Sequence, residues 1–286
     1  MGTVMELLSK AVPIVMLAFV VSSMLAVGAS LTVVQILDPL RNRKLVCLSL
    51  LANFLLMPIG AMGISKLLRL NQPLGIALVL LGVAAGAPFL PKLAGIAKGN
   101  LAFAVGLMVL LMVLTVAYMP LVLPFLLRGV SVDPMEIARS LLLLMLLPLA
   151  AGLFLNARFQ RVAEKLRGPL NRISSLTLTL LIALMMLTNL KNVIALFGTR
   201  GILASVVFLL TGAGIGWFLG GPGLGTKSVL ALGTAQRNIA AALVVGGKDF
   251  DDPRVLVMVI VVAVVGLLIL MPLASVFGSW RAEERA

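Results

Sequence analysis

The sequence predicts an all-α polytopic membrane protein of about nine transmembrane helices, and three observations carry that reading. Of its 286 residues, 61% are apolar, where soluble domains hold about 45–50%. Only 12% are charged, too few to cover a water-facing surface. Those charges fall mostly between apolar runs of roughly 20 residues, the length that one crossing of the hydrocarbon core requires.

Charged and Gly/Pro clusters divide the chain into spans near 11–36, 45–66, 73–97, 101–127, 136–157, 171–194, 201–220, 226–247 and 254–277, all within one membrane domain over 1–286. In the first, Lys10 precedes an apolar run that passes Ala26–Ala29 and continues to Leu37, so it reads as a helix and not as a signal peptide. The second holds Asn53 at the head of NFLLMP, which ends at Pro58, placing a polar side chain and a kink within two turns. Around the third, GVAAGAPFLPKLAGIAKGN (82–100) carries Pro88 and Pro91, each lacking a backbone donor, among four glycines. A straight helix is not expected there; the bland alternative is a proline kink. The sixth span carries Thr188 and Asn189 toward its end. The eighth, GTAQRNIAAALVVGGKDF (233–250), is expected to break at Gly233, as the third is at Pro88 and Pro91, and puts Thr234, Gln236, Arg237 and Asn238 in the middle of hydrocarbon. Two interrupted spans in opposite halves of a chain point to a transport site at an inverted-repeat interface.

The charge balance sets the expected orientation. With the N-terminus outside, inner loops hold thirteen Lys and Arg and outer loops nine, so the reading is N-out and C-in at the cell membrane. The net charge of +13 is then loop charge facing a lipid bilayer, and nucleic acid is not an expected partner. The chain has no histidine and one cysteine, Cys47, which excludes Ser-His-Asp and Cys-His nucleophile sites, HExxH zinc sites and intramolecular disulfides. No enzyme activity, metal site or cofactor is expected, and the oligomeric state is not written in the sequence.

One charge fits no loop. Arg237 lies mid-span, where an isolated charge costs about 2.5–3.5 kcal/mol on insertion scales. All ten acidic residues fall at termini or in loops, so no carboxylate neutralises it. If the helix continued, Thr234, Arg237, Asn238 and Ala241 would share one face. Two readings follow. Arg237 faces a wet cavity and offers its donor fork to an anion's carboxylate, sulfonate or phosphate, or it binds carbonyls of broken helices and holds them together.

The runs GTAQRNIAAAL (233–243), NFLLMP (53–58), IAKGN (96–100) and LLPLAAGLFLN (146–156) together resemble the bile acid:sodium symporter family, in order along nearly the whole chain. The resemblance implies inverted repeats, a core domain with two crossing discontinuous helices (73–97 and 226–247), a panel domain, and a small organic anion as substrate. Many bacterial relatives have ten helices, and by comparison the first is expected to be missing here, as in vertebrate members. It also implies sodium, but the family's E-x-G-x-Q-N frame falls on Gly233 to Asn238, with Gly233 in the acidic place and Arg237 in the glutamine place. The family's Ser-Asn pair falls on Leu90 and Pro91, its next hydroxyl positions on Ala104 and Met108, and Asn53 stands where the family has glutamine. A hard cation needs several oxygens, and these residues supply few. The expectation is therefore an alternating-access carrier of a small organic anion in which Arg237 substitutes for a bound cation. The alternatives are an ordinary sodium-coupled symporter and a non-transporting membrane sensor or scaffold.

Overall fold

The computed structural model describes residues 2–127, 133–189, 191, 192, 194 and 198–285, and every regular element among them is helical. In chain order these are α1 (Gly2–Ser30), α2 (Val33–Leu37), α3 (Arg43–Leu67), α4 (Gln72–Val83), α5 (Leu90–Ile96), α6 (Leu101–Leu126), α7 (Pro134–Arg158), α8 (Gln160–Thr188), α9 (Gly201–Leu219), α10 (Leu224–Ala235), α11 (Ile239–Asp249) and α12 (Pro253–Arg285). Eight helical segments are long and apolar enough to cross a membrane, counting α10 and α11 as one; α4 is a shorter apolar helix. The chain is a multi-pass membrane protein. Arg128 and part of the span expected over 171–194 lie outside the described residues.

Local chemistry sets the helix ends. The first helix stops at Ser30, six residues short of the expected 11–36, because Thr32 caps a new helix in a reciprocal pair with Gln35. Asn42, Asn71, Asn100, Asp133 and Asn238 likewise accept a backbone N–H at the starts of α3, α4, α6, α7 and α11. In α3 and α7 the helix widens to a π-turn just before a proline, at Ala52–Leu56 ahead of Pro58 and at Leu142–Leu146 ahead of Pro148. Pro58 withholds the N–H that an α-helix would direct to the Phe54 carbonyl, and the Tyr118 hydroxyl of α6 donates there instead.

The helices form two groups. α1 packs along α8 and the second half of α7, while α3–α6 pack with α9–α12. The first contact is backbone on backbone: a Cβ on Gly28 would sit 2.2 Å from the Leu149 carbonyl oxygen, and one on Gly152 would sit 2.5 Å from that of Leu25. Close approach of glycines supplies the dispersion contact that joins helices where no hydrophobic effect does. Asn156 and Arg167 close the same corner. The Asn156 amide donates to the Leu31 carbonyl, and Arg167 donates to the Ala29 carbonyl and to Asn156 Oδ1.

Candidate functional site

The site forms where two interrupted helices meet. α4 stops at Val83, and residues 84–89 run irregularly through a left-handed Gly86 (φ 79°) before α5. A side chain at Gly86 is excluded twice, by that φ and because its Cβ would lie 2.2 Å from the Met112 nitrogen. Opposite, α10 stops at Ala235 and α11 starts at Ile239, with Gln236 extended between them. Of the residues expected to break helices, Pro88 lies in the first gap, whereas Pro91 sits in the first turn of α5, where a missing N–H costs nothing. Gly233 lies inside α10 and is no breaker: its bare Cα face receives Leu90, whose Cδ2 would be 2.9 Å from an added Cβ. The break also removes the common helical face expected for Thr234, Arg237, Asn238 and Ala241, since the helix changes direction between them.

Several backbone groups freed at the gaps find partners from the opposite broken helix or from α6. The Asn238 N–H donates to the Ala84 carbonyl (2.9 Å), and its side-chain amide donates to the Gly86 carbonyl (3.0 Å). Thr115 of α6, absent from the residues singled out above, accepts from the Ala85 N–H and donates to the Ala85 carbonyl. Arg237 closes the set. Its Nε donates to the Leu81 carbonyl (2.8 Å), Nη2 to the Gly82 carbonyl (2.7 Å), and Nη1 to Asn53 Oδ1 (2.8 Å) and the Thr234 carbonyl (3.1 Å). Asn53 in turn donates from Nδ2 to the Ser49 carbonyl and to Thr234 Oγ1. Asn53, Thr234 and Asn238 are fully buried, and Arg237 is 2% exposed.

These contacts are those of the cross-linking reading, and Arg237 also lines a cavity of about 380 Å³ that adjoins the crossing, as the other reading requires. Leu81 and Gly82 belong to the last turn of α4, and Thr234 to the last turn of α10. Helix C-termini carry about half a negative charge each. Two of them facing one guanidinium supply roughly one unit of opposite charge, which is how the cation sits in the membrane with no carboxylate beside it. Thr188 and Asn189 take no part in this network: Thr188 donates to the Leu184 carbonyl and Asn189 donates to Thr188.

A cavity of about 380 Å³ adjoins the crossing, between α1 and α8 on one side and residues 87–89, α11 and α12 on the other. Its walls are mainly apolar, with Ser23, Asn171, Ser174, Ser175 and Thr179 as polar points. The four on α8 recur at helical spacing, a signal readable in NRISSLTLT (171–179) but hidden there among loop-like polar residues. Gln236 borders the cavity, and its buried Oε1 has no hydrogen-bond partner among the described residues. Ile239 and Ala240, the first turn of α11, border it too, so the positive end of a half-helix adjoins the space. A second cavity, of about 570 Å³ near Lys66 and Gln72, touches none of these residues.

Comparison with known proteins shows the family. The family described as the Sodium Bile acid symporter family matches residues 15–196. The chain belongs to that family. Among its relatives, the "Probable sodium/metabolite cotransporter BASS1, chloroplastic" of Arabidopsis thaliana is 28% identical over 239 residues, covering 81% of this chain and 58% of the relative. BASS6 of the same plant, also named a probable sodium/metabolite cotransporter, is 26% identical, covering 81% and 60%. The "Uncharacterized sodium-dependent transporter YocS" of Bacillus subtilis is 25% identical, covering 69% of this chain and 60% of its own. The chain thus spans about three-fifths of the length of these relatives. The family is one of symporters and not of enzymes.

Proposed function

We propose that the protein is a secondary transporter that moves a small organic anion by alternating access, with Arg237 standing permanently where a coupling cation would bind. The observation that carries this reading is the Arg237 guanidinium held by four oxygens, from Leu81, Gly82, Thr234 and Asn53, at the facing C-termini of two half-helices. Carbonyl oxygens at unwound helix ends are the donor set that suits a sodium ion in such transporters, and here a tethered cation uses them. The acidic position of the same frame is Gly233, packed against Leu90. Nothing polar remains in that contact to hold an ion.

The anion belongs in the 380 Å³ cavity, beside the first turn of α11 and opposite the hydroxyl-bearing face of α8. The free Gln236 Oε1 calls for a hydrogen-bond donor on the substrate. The basic-residue bias places the N-terminus outside and the C-terminus in the cytoplasm. The relatives' names favour a second reading, ordinary sodium coupling, in which the cation would bind elsewhere.

The test begins with a thermal-shift screen of carboxylates and sulfonates, each in sodium and in choline buffer, and continues with uptake of the ligands found into proteoliposomes. Uptake is expected to equilibrate the anion without sodium. Accumulation that depends on an inward sodium gradient would refute the Arg237 reading in favour of sodium coupling, and binding with no uptake would favour a sensor.

A further inference from the structure

A second concentration of positive charge lies away from the crossing, at the end of the bundle where α10 begins, α5 turns into α6, and α12 ends. Three segments converge there. The Asn100 N–H donates to the Gly225 carbonyl (2.9 Å), and the Gly278 face of α12 packs on Ile96 and Ala97. The Arg281 guanidinium lies directly on Gly225, with Nη1 1.8 Å from where a Cβ would be. That Nη1 is buried and has no hydrogen-bond partner among the described residues. Lys227, two residues along α10, lies 5.4 Å from the centroid of the Trp217 ring. Trp217 is stacked on Phe277 and edge-on to Trp280. Lys98 projects from the α5–α6 turn in a left-handed conformation (φ 48°). Among the described residues the salt bridges are Arg41–Asp38 and Arg254–Asp252, and neither involves Lys98, Lys227 or Arg281.

We propose that this surface is a binding site for the phosphate headgroup of an anionic phospholipid. Cations from three segments, a buried guanidinium N–H with no partner among the described residues, and two indole rings call for one occupant even with Glu283 and Glu284 at the end of α12: an anionic phosphate attached to an apolar tail. Tryptophans concentrate at headgroup depth, where an amphipathic ring has both an apolar and a wet side. A guanidinium and an ammonium group each suit phosphate oxygens. The phosphate accepts from Arg281 Nη1 and from Lys227, and the Trp217–Phe277–Trp280 cluster receives the first methylenes of the acyl chains.

The test uses the full chain purified in an uncharged detergent. Adding phosphatidylglycerol is expected to raise the melting temperature and to give a one-lipid adduct in native mass spectrometry, and phosphatidylcholine is expected to do neither. Arg281→Gln and Lys227→Gln should each weaken the phosphatidylglycerol response about fivefold, the factor one cation near an anionic surface contributes. Arg172→Gln, which removes a basic residue outside this cluster, should leave it unchanged. Should Arg281→Gln not fold, Lys227→Gln and the wild-type adduct still decide. Equal responses to both lipids, an adduct untouched by Lys227→Gln, or full reproduction of the shift by inorganic phosphate alone would each overturn the lipid site.

Discussion

Replacing Arg237 by glutamine converts the proposed cation surrogate into an empty cradle of oxygens. The wild-type guanidinium satisfies the Leu81, Gly82 and Thr234 carbonyls and Asn53 Oδ1. Glutamine is shorter, uncharged and has two N–H donors, so at least two of these acceptors lose their partner at a fully buried site. Leaving at least two buried neutral acceptors unpaired costs about 2–6 kcal/mol, which for a chain of this size is about 3–10 °C of melting temperature. The acceptors left behind are the ligand type that a sodium ion takes, so the variant, unlike the parent, should be restabilised by sodium. At a sodium concentration near 100 times the dissociation constant that recovery reaches about 2.7 kcal/mol, several degrees on the same scale. The assay is a melting curve in detergent, with sodium titrated against choline at constant ionic strength. Strong sodium stabilisation of the parent, or the same sodium response in parent and variant, would refute the surrogate reasoning. Loss of stability with no sodium rescue would leave Arg237 as a structural cross-link and nothing more.

Other substitutions test neighbouring parts of the argument. Thr115→Val removes the partner of both the Ala85 N–H and carbonyl and should lower stability by about 1–3 kcal/mol, seen in the same melts. Gly28→Ala puts a methyl group into the Leu149 backbone and should cost about 1–3 kcal/mol by forcing α1 from α7; Gly63→Ala, with nothing within 4 Å, should be near neutral. Gln236→Leu should weaken anion binding about fivefold to tenfold, the worth of one hydrogen bond, while the melting temperature without ligand holds. In the loop before α12, the hydrogen bond from Arg254 holds Asp252 below the usual aspartate range. That contribution is present above the ordinary aspartate pKa and is lost as pH falls through the lowered one. Asp252→Asn should therefore lower the melting temperature slightly at pH 7, and the difference should vanish in strong acid.

Membrane character, helix-only architecture and the two interrupted segments were legible in the chain, because each follows from local quantities: hydrocarbon length, proline and glycine content, and polar residues where lipid should be. Arg237 stood out for the same reason, as the charge no loop could hold. Its partners did not. The Leu81 and Gly82 carbonyls lie more than 150 residues away and belong to backbone, which every residue carries and no side-chain pattern marks. Gly233 shows the same limit: a glycine beside a helix break reads as the breaker, yet the helix runs through it to Ala235 because Leu90 fills its face from another segment. Thr115 is an unremarked hydroxyl in an apolar helix until the gap at Ala85 is seen against it. By itself, the sequence determined that one buried cation must be neutralised without an acid. Only the tertiary structure decided how, by bringing the negative ends of two half-helices to the same guanidinium, since a helix end's partial charge acts only within about a turn of where it points.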